Sequence, residues 1–145
     1  MRVLAGASGS AATPHGARDL TRILVVDDLK DITETMGVLF EALGHDTKVA
    51  ADGRQAVATT LAFEPDIIFL DLEMPVLNGY EAAREVRGAP LPRQPFLIAL
   101  TKAHGSTVEV ATRAVGFDFY MRKPVDTNAL LALVADLSAR MRQAS

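Results

Sequence analysis

Phe63-Glu64-Pro65-Asp66-Ile67-Ile68-Phe69-Leu70-Asp71-Leu72-Glu73-Met74-Pro75-Val76-Leu77-Asn78-Gly79 is the stretch whose reading decides the fold. Ile67 to Leu70 form an unbroken apolar run, rich in β-branched and aromatic residues and bounded by Pro65, Pro75 and Gly79. Such a run suits a strand buried on both faces of a parallel sheet. Asp71 falls where that strand ends, and open parallel α/β sheets gather their chemistry at strand carboxyl ends. An acid there is a candidate site residue, and its partners must come from elsewhere in the chain.

The same grammar recurs outward from this point. Upstream, Arg22-Ile23-Leu24-Val25-Val26-Asp27-Asp28 is another short apolar run ending in acids. Ile32, Met36, Leu39, Phe40 and Leu43 then stripe one helix, and Gly44 supplies its stop. His45–Ala50 is a more polar strand, with Asp46 and Lys48 on one face, as suits a sheet edge. Asp52-Gly53 turns into a second helix expected to pack through Val57 and Leu61. Downstream, Asn78-Gly79 opens a third helix with Tyr80, Ala83 and Val86 inward. After the loop Gly88–Arg93, Phe96-Leu97-Ile98-Ala99-Leu100 reads as a second doubly buried strand ending at Thr101. A fourth helix over Gly105–Val115, an alternating edge strand over Phe117–Lys123, and a last helix striped by Leu130, Leu133, Val134, Leu137 and Met141 complete the chain. Five β-α units with right-handed crossovers predict an α/β, flavodoxin-like doubly wound domain: a five-stranded parallel sheet, strand order 2-1-3-4-5, with helices on both faces.

Composition narrows the function classes. A 145-residue chain with 49% apolar and 23% charged residues is an ordinary soluble domain, and its net charge of −3 offers no nucleic-acid footprint. Without cysteine there is neither a disulfide framework nor a thiolate metal site. No stretch approaches the roughly 18 apolar residues of a membrane span. The apolar run near Arg2 is too short for a signal peptide, so a cytoplasmic location is expected. Residues 1–20, rich in Gly, Ala and Ser, are expected to be a disordered extension before a domain over 21–142. His15, His45 and His104 show no ligand spacing and are read as solvated. Arg140 and Arg142 suit the negative end of the last helix.

Strand ends thus deliver Asp27, Asp28, Asp71 and Thr101 to one rim, with Lys123 just beyond the fifth strand. Two like charges roughly 4–5 Å apart repel by about 3–4 kcal/mol at an effective dielectric near 20, so such a cluster calls for a cation. Mg²⁺ suits a site with few carboxylates and several retained waters. Lys123 and the Thr101 hydroxyl add donors fit for phosphoryl oxygens.

The spacing of Asp27-Asp28, Asp71-Leu72-Glu73-Met74-Pro75 with Gly79, Thr101, and Lys123-Pro124 resembles the response-regulator receiver domain of two-component signalling, over residues 22 to about 142. The resemblance implies that Asp71 is the phosphoacceptor. It implies that Asp28, Asp71 and the Glu73 backbone carbonyl hold Mg²⁺, with Asp27 acting through water, and that Lys123 neutralises phosphoryl charge. Thr101 and Tyr120 would be the switch pair, and Lys123–Pro124 the family's cis peptide. Glu73 and Lys102, at positions where the family pattern differs, would modulate phosphoryl lifetime. The chain would be no enzyme beyond its own phosphorylation and autodephosphorylation.

The resemblance further implies a histidine kinase or histidine phosphotransfer protein as donor. A downstream protein target would meet the face made by the fourth helix, fifth strand and last helix (α4–β5–α5). With only residues 124–145 after Lys123, a stand-alone receiver without an output domain is expected. Alternatives are a phosphate shuttle or sink in a phosphorelay and, less favoured, a small phosphohydrolase or flavin carrier on the same fold.

Overall fold

The computed structural model describes residues 20–144 apart from positions 75 and 104. The extension expected over 1–20 therefore lies, but for Leu20, outside the described residues, as do His15, Pro75 and His104. The elements alternate strictly: β1 (Arg22–Val26), α1 (Lys30–Ala42), β2 (Asp46–Ala50), α2 (Gly53–Phe63), β3 (Ile67–Asp71), α3 (Gly79–Gly88), β4 (Phe96–Thr101), α4 (Ser106–Ala114), β5 (Phe119–Arg122) and α5 (Thr127–Ala144). All four strand pairings are parallel and the spatial order is β2-β1-β3-β4-β5, the order read from the sequence.

Two apolar layers hold the sheet. Leu24, Val26, Ile68, Leu70, Leu97 and Ala99 face a layer that includes Ala56, Ala82, Ala83 and Val86 from α2 and α3. The alternate residues Ile23, Val25, Ile67, Phe69, Ile98 and Leu100 face Met36 and Phe40 of α1 and Leu130, Val134 and Leu137 of α5. Period-two alternation thus feeds both faces at once, which is why the three central strands read as continuous apolar runs. The edges β2 and β5 are only partly buried.

Local chemistry places the helix starts. Asp52 accepts the Gln55 amide at 2.8 Å as the N-cap of α2. Asn78 and Glu81 form a reciprocal capping box on α3.

Three expectations need correction. Leu43 is 54% exposed, because α1 ends at Ala42 and Leu43 already occupies its C-cap. Leu61 is 48% exposed; α2 packs through Ala56, Val57 and Thr60 instead. His45 is half-buried rather than solvated, its ring edge-on to Phe40 at 6.4 Å. Burial, and then the charge of Arg142, lower its pKa from 6.5.

One organising residue carried no sequence signal. Arg87 on α3 donates to the Gly116 carbonyl at 2.9 and 2.7 Å, to the Pro95 carbonyl at 2.8 Å and to Asp118 at 3.0 Å. It ties α3 to the turn between α4 and β5. A Cβ on Gly116 would lie 2.8 Å from the Arg87 side chain, so the clamp needs glycine there.

Candidate active site at the carboxyl rim of the sheet

Parallel strands in register bring their carboxyl ends to one edge, and β1, β3, β4 and β5 each deliver a polar residue to it, in or just after the strand. Asp27 follows β1 and is 1% exposed; Asp71 ends β3 and is also 1% exposed. Lys123 follows β5, where its amide donates to the Thr101 carbonyl at 2.8 Å and its bond to Pro124 is cis. The Lys123 ammonium lies 3.0 Å from Asp27 Oδ2 and 3.0 Å from Asp71 Oδ1. One largely buried cation therefore serves two buried carboxylates.

Each acid is also fixed by its own turn. The Leu29 amide donates to Asp27 Oδ1 at 2.9 Å and the Glu73 amide to Asp71 Oδ1 at 3.1 Å. Such two-residue turns orient a carboxylate but do not neutralise it. Gly79 closes the floor: a Cβ there would clash with the Asp71 carbonyl, so only glycine lets α3 start against the end of β3.

The electrostatics follow. Burial raises the Asp71 pKa from 3.8 to about 6; the Lys123 hydrogen bond opposes this, and the Asp27 charge adds to it. Burial works against the Lys123 charge, but its bonds to Asp27 and Asp71 outweigh that and raise its pKa. With exposed Asp28 included, carboxylate oxygens of Asp27, Asp28 and Asp71 lie within 4.8 Å of one another. A few hard oxygen donors, one facing solvent and carrying more negative charge than one lysine offsets, match the needs of Mg²⁺.

The remaining residues singled out from the sequence are placed less simply. Thr101 is fully buried, yet its hydroxyl donates to Glu73 Oε2 at 2.8 Å and accepts the Ala103 amide at 3.0 Å. This 28-residue contact could not be read from the sequence, which marked both residues but not their bond. Lys102 is exposed. Tyr120 pairs with Ala99, packs against the α2–α3 layer and lines a cavity of about 240 Å³ with Glu109, Thr112, Arg113 and Phe117. Val76, in the loop after Asp71, has φ of 70° and is 74% exposed, a strained backbone for a β-branched residue.

Known proteins are similar to this chain in sequence and fold. Residues 23–135 match the family model described as the response regulator receiver domain. Protein PilG of Pseudomonas aeruginosa is 32% identical over 116 residues, covering 80% of this chain and 86% of PilG. The response regulator SaeR of Staphylococcus aureus is 32% identical over 126 residues, covering 86% of this chain but only 53% of SaeR. So the chain spans about half the length of SaeR and most of PilG. Among solved structures, the Vibrio cholerae chemotaxis protein CheY4 superposes with a TM-score of 0.76 at 27% identity, covering 81% of this chain and 98% of that one. The receiver domain of Francisella response regulator 1452 gives 0.76 at 29% identity, covering 83% and 98%. Topology, rim and relatives converge, and the chain belongs to the response regulator receiver family of two-component signalling.

Proposed function

We propose that the chain accepts a phosphoryl group on Asp71 from a phosphohistidine donor, on a histidine kinase or a histidine phosphotransfer protein. The observation that carries this reading is the Lys123 ammonium 3.0 Å from both Asp27 and Asp71 at the rim of a receiver fold. An Asp71 carboxylate oxygen forms the new P–O bond as the donor's P–N bond breaks, and the departing imidazole takes its proton from water. Asp27, Asp28, Asp71 and the Glu73 backbone carbonyl would hold Mg²⁺. Bound there, Mg²⁺ would neutralise charge spread over the equatorial oxygens of a loose transition state.

Lys123 moves within the same pocket from carboxylate to phosphoryl oxygen, and the Thr101 hydroxyl turns toward the new group. Tyr120, on the same face of the sheet as Ala99, follows Thr101 inward. Lys102 and Glu73 modulate the lifetime of the acyl phosphate. Catalysis is confined to the protein's own phosphorylation and dephosphorylation.

Output passes through the α4–β5–α5 face to a protein target in the cytoplasm. Among the described residues, no helix is long and apolar enough to cross a membrane. A complete two-state switch requires roughly 5.5 kcal/mol of differential interaction, of which a few charge-assisted bonds supply a part. The match covers most of PilG and about half of SaeR, and the proposed chemistry at Asp71 does not depend on whether the receiver acts alone or joined to further chain.

Incubation with Mg²⁺ and acetyl phosphate tests the proposal. One phosphoryl adduct per chain by intact mass supports it; multiple turnover on free phosphoesters would favour a phosphohydrolase. Rapid loss of the label to a histidine phosphotransfer protein would mark a shuttle or sink rather than an adaptor.

A further inference from the structure

A hydroxyl has one proton to give. The fully buried Thr101 Oγ1 gives its proton to Glu73 Oε2 at 2.8 Å and spends acceptor capacity on the Ala103 amide at 3.0 Å. A phosphoryl oxygen on Asp71 accepts hydrogen bonds only. It would need the same proton that Glu73 holds, so the two bonds exclude one another. We propose that Glu73 is a positioning residue: its carboxylate latches the Thr101 hydroxyl in the resting arrangement, and a phosphoryl group on Asp71 must displace it. The proposal rests on Asp71 being the acceptor.

Three features give the latch its character. The bond is charge-assisted, about twice as strong as a neutral one, so the phosphoryl group competes with an anion and not with water. The Glu73 backbone is itself anchored on the acceptor, its amide 3.1 Å from Asp71 Oδ1. Finally, the Ala103 amide bonds the same hydroxyl, so release of Thr101 from Glu73 carries the loop between β4 and α4 with it.

Simple charge repulsion makes a different forecast, and substitution separates the two. Binding of beryllofluoride with Mg²⁺, an acyl-phosphate mimic, is measured in the full chain. Glu73→Ala should bind it about tenfold tighter than the parent, with Glu73→Gln in between because the amide oxygen still accepts from Thr101. In a Thr101→Val background the gain from Glu73→Ala should largely vanish. In the single Glu73 variants without the mimic, the Ala103 amide resonance should shift toward its mimic-bound position. Equal gains for Gln and Ala, an undiminished gain in the Thr101→Val background, or a stationary Ala103 resonance would each overturn the latch. Mimic binding that survives Asp71→Asn would overturn the acceptor assignment itself, and the latch with it.

Discussion

Asp66 stands just before β3 and Asp71 ends it, and both are nearly buried, at 6% and 1% exposure. Their surroundings differ in kind. Asp66 accepts the Arg22 amide of the neighbouring strand at 2.8 Å and lies 3.4 Å from Arg93. Across the sheet Asp118 does the same for the Leu97 amide at 2.9 Å, beside Arg87. Amino ends of parallel strands leave N–H groups unpaired, and a carboxylate there completes the ladder. Carboxyl ends leave carbonyls, which offer an acid nothing. Asp27 and Asp71 must therefore divide one lysine, and their excess charge is what a metal ion or a phosphoryl transfer can exploit. Acids at one edge of the sheet finish the fold; at the other, in the proposed function, they are held ready for chemistry.

The largest test of that contrast is Asp71→Asn, for which uptake of phosphoryl from acetyl phosphate should fall to background while circular dichroism remains that of the parent. Next comes Lys123→Ala. It leaves two buried carboxylates without their counter-charge and should cost about 3–5 kcal/mol in metal-free denaturant unfolding, partly recovered by Mg²⁺. Asp66→Asn should cost less, about 1–3 kcal/mol, through the weakened bond to the Arg22 amide. It should leave labelling unchanged, and labelling lost there would erase the distinction between the two edges.

The smallest effect is in pH. Because the folded-state pKa of Asp71 is raised, its contribution to stability is full below 3.8 and is lost as pH rises through about 6. A carboxyl-carbon NMR titration of the metal-free protein should place the Asp71 midpoint near that value, and added Mg²⁺ should lower it. Asp71→Asn should flatten the corresponding stretch of the stability–pH curve.

How far the sequence could be read follows from range. The central strands and the rim were legible because each strand is a local apolar run and each acid sits at its end. Periodicity says which helix residues are apolar but neither where a helix stops nor how much of its apolar stripe is covered, so Leu43, at the C-cap of α1, and Leu61, inside α2, lie outside the packing faces expected of them. The Thr101–Glu73 bond and the Arg87 clamp join residues about thirty positions apart and leave no local mark. His45 reads as solvated from the sequence because spacing alone does not show that its ring packs against Phe40 five residues earlier, nor that the charge of distant Arg142 acts on it.

The most direct measurement is chemical mapping of the phosphorylated residue. After labelling with acetyl phosphate and Mg²⁺, borohydride reduces an acyl phosphate on aspartate to homoserine, and tandem mass spectrometry of the digest locates it. The account predicts homoserine at position 71 alone. Homoserine at 27 or 28, a stable phosphoryl group on another residue, or no modified residue at all would contradict it.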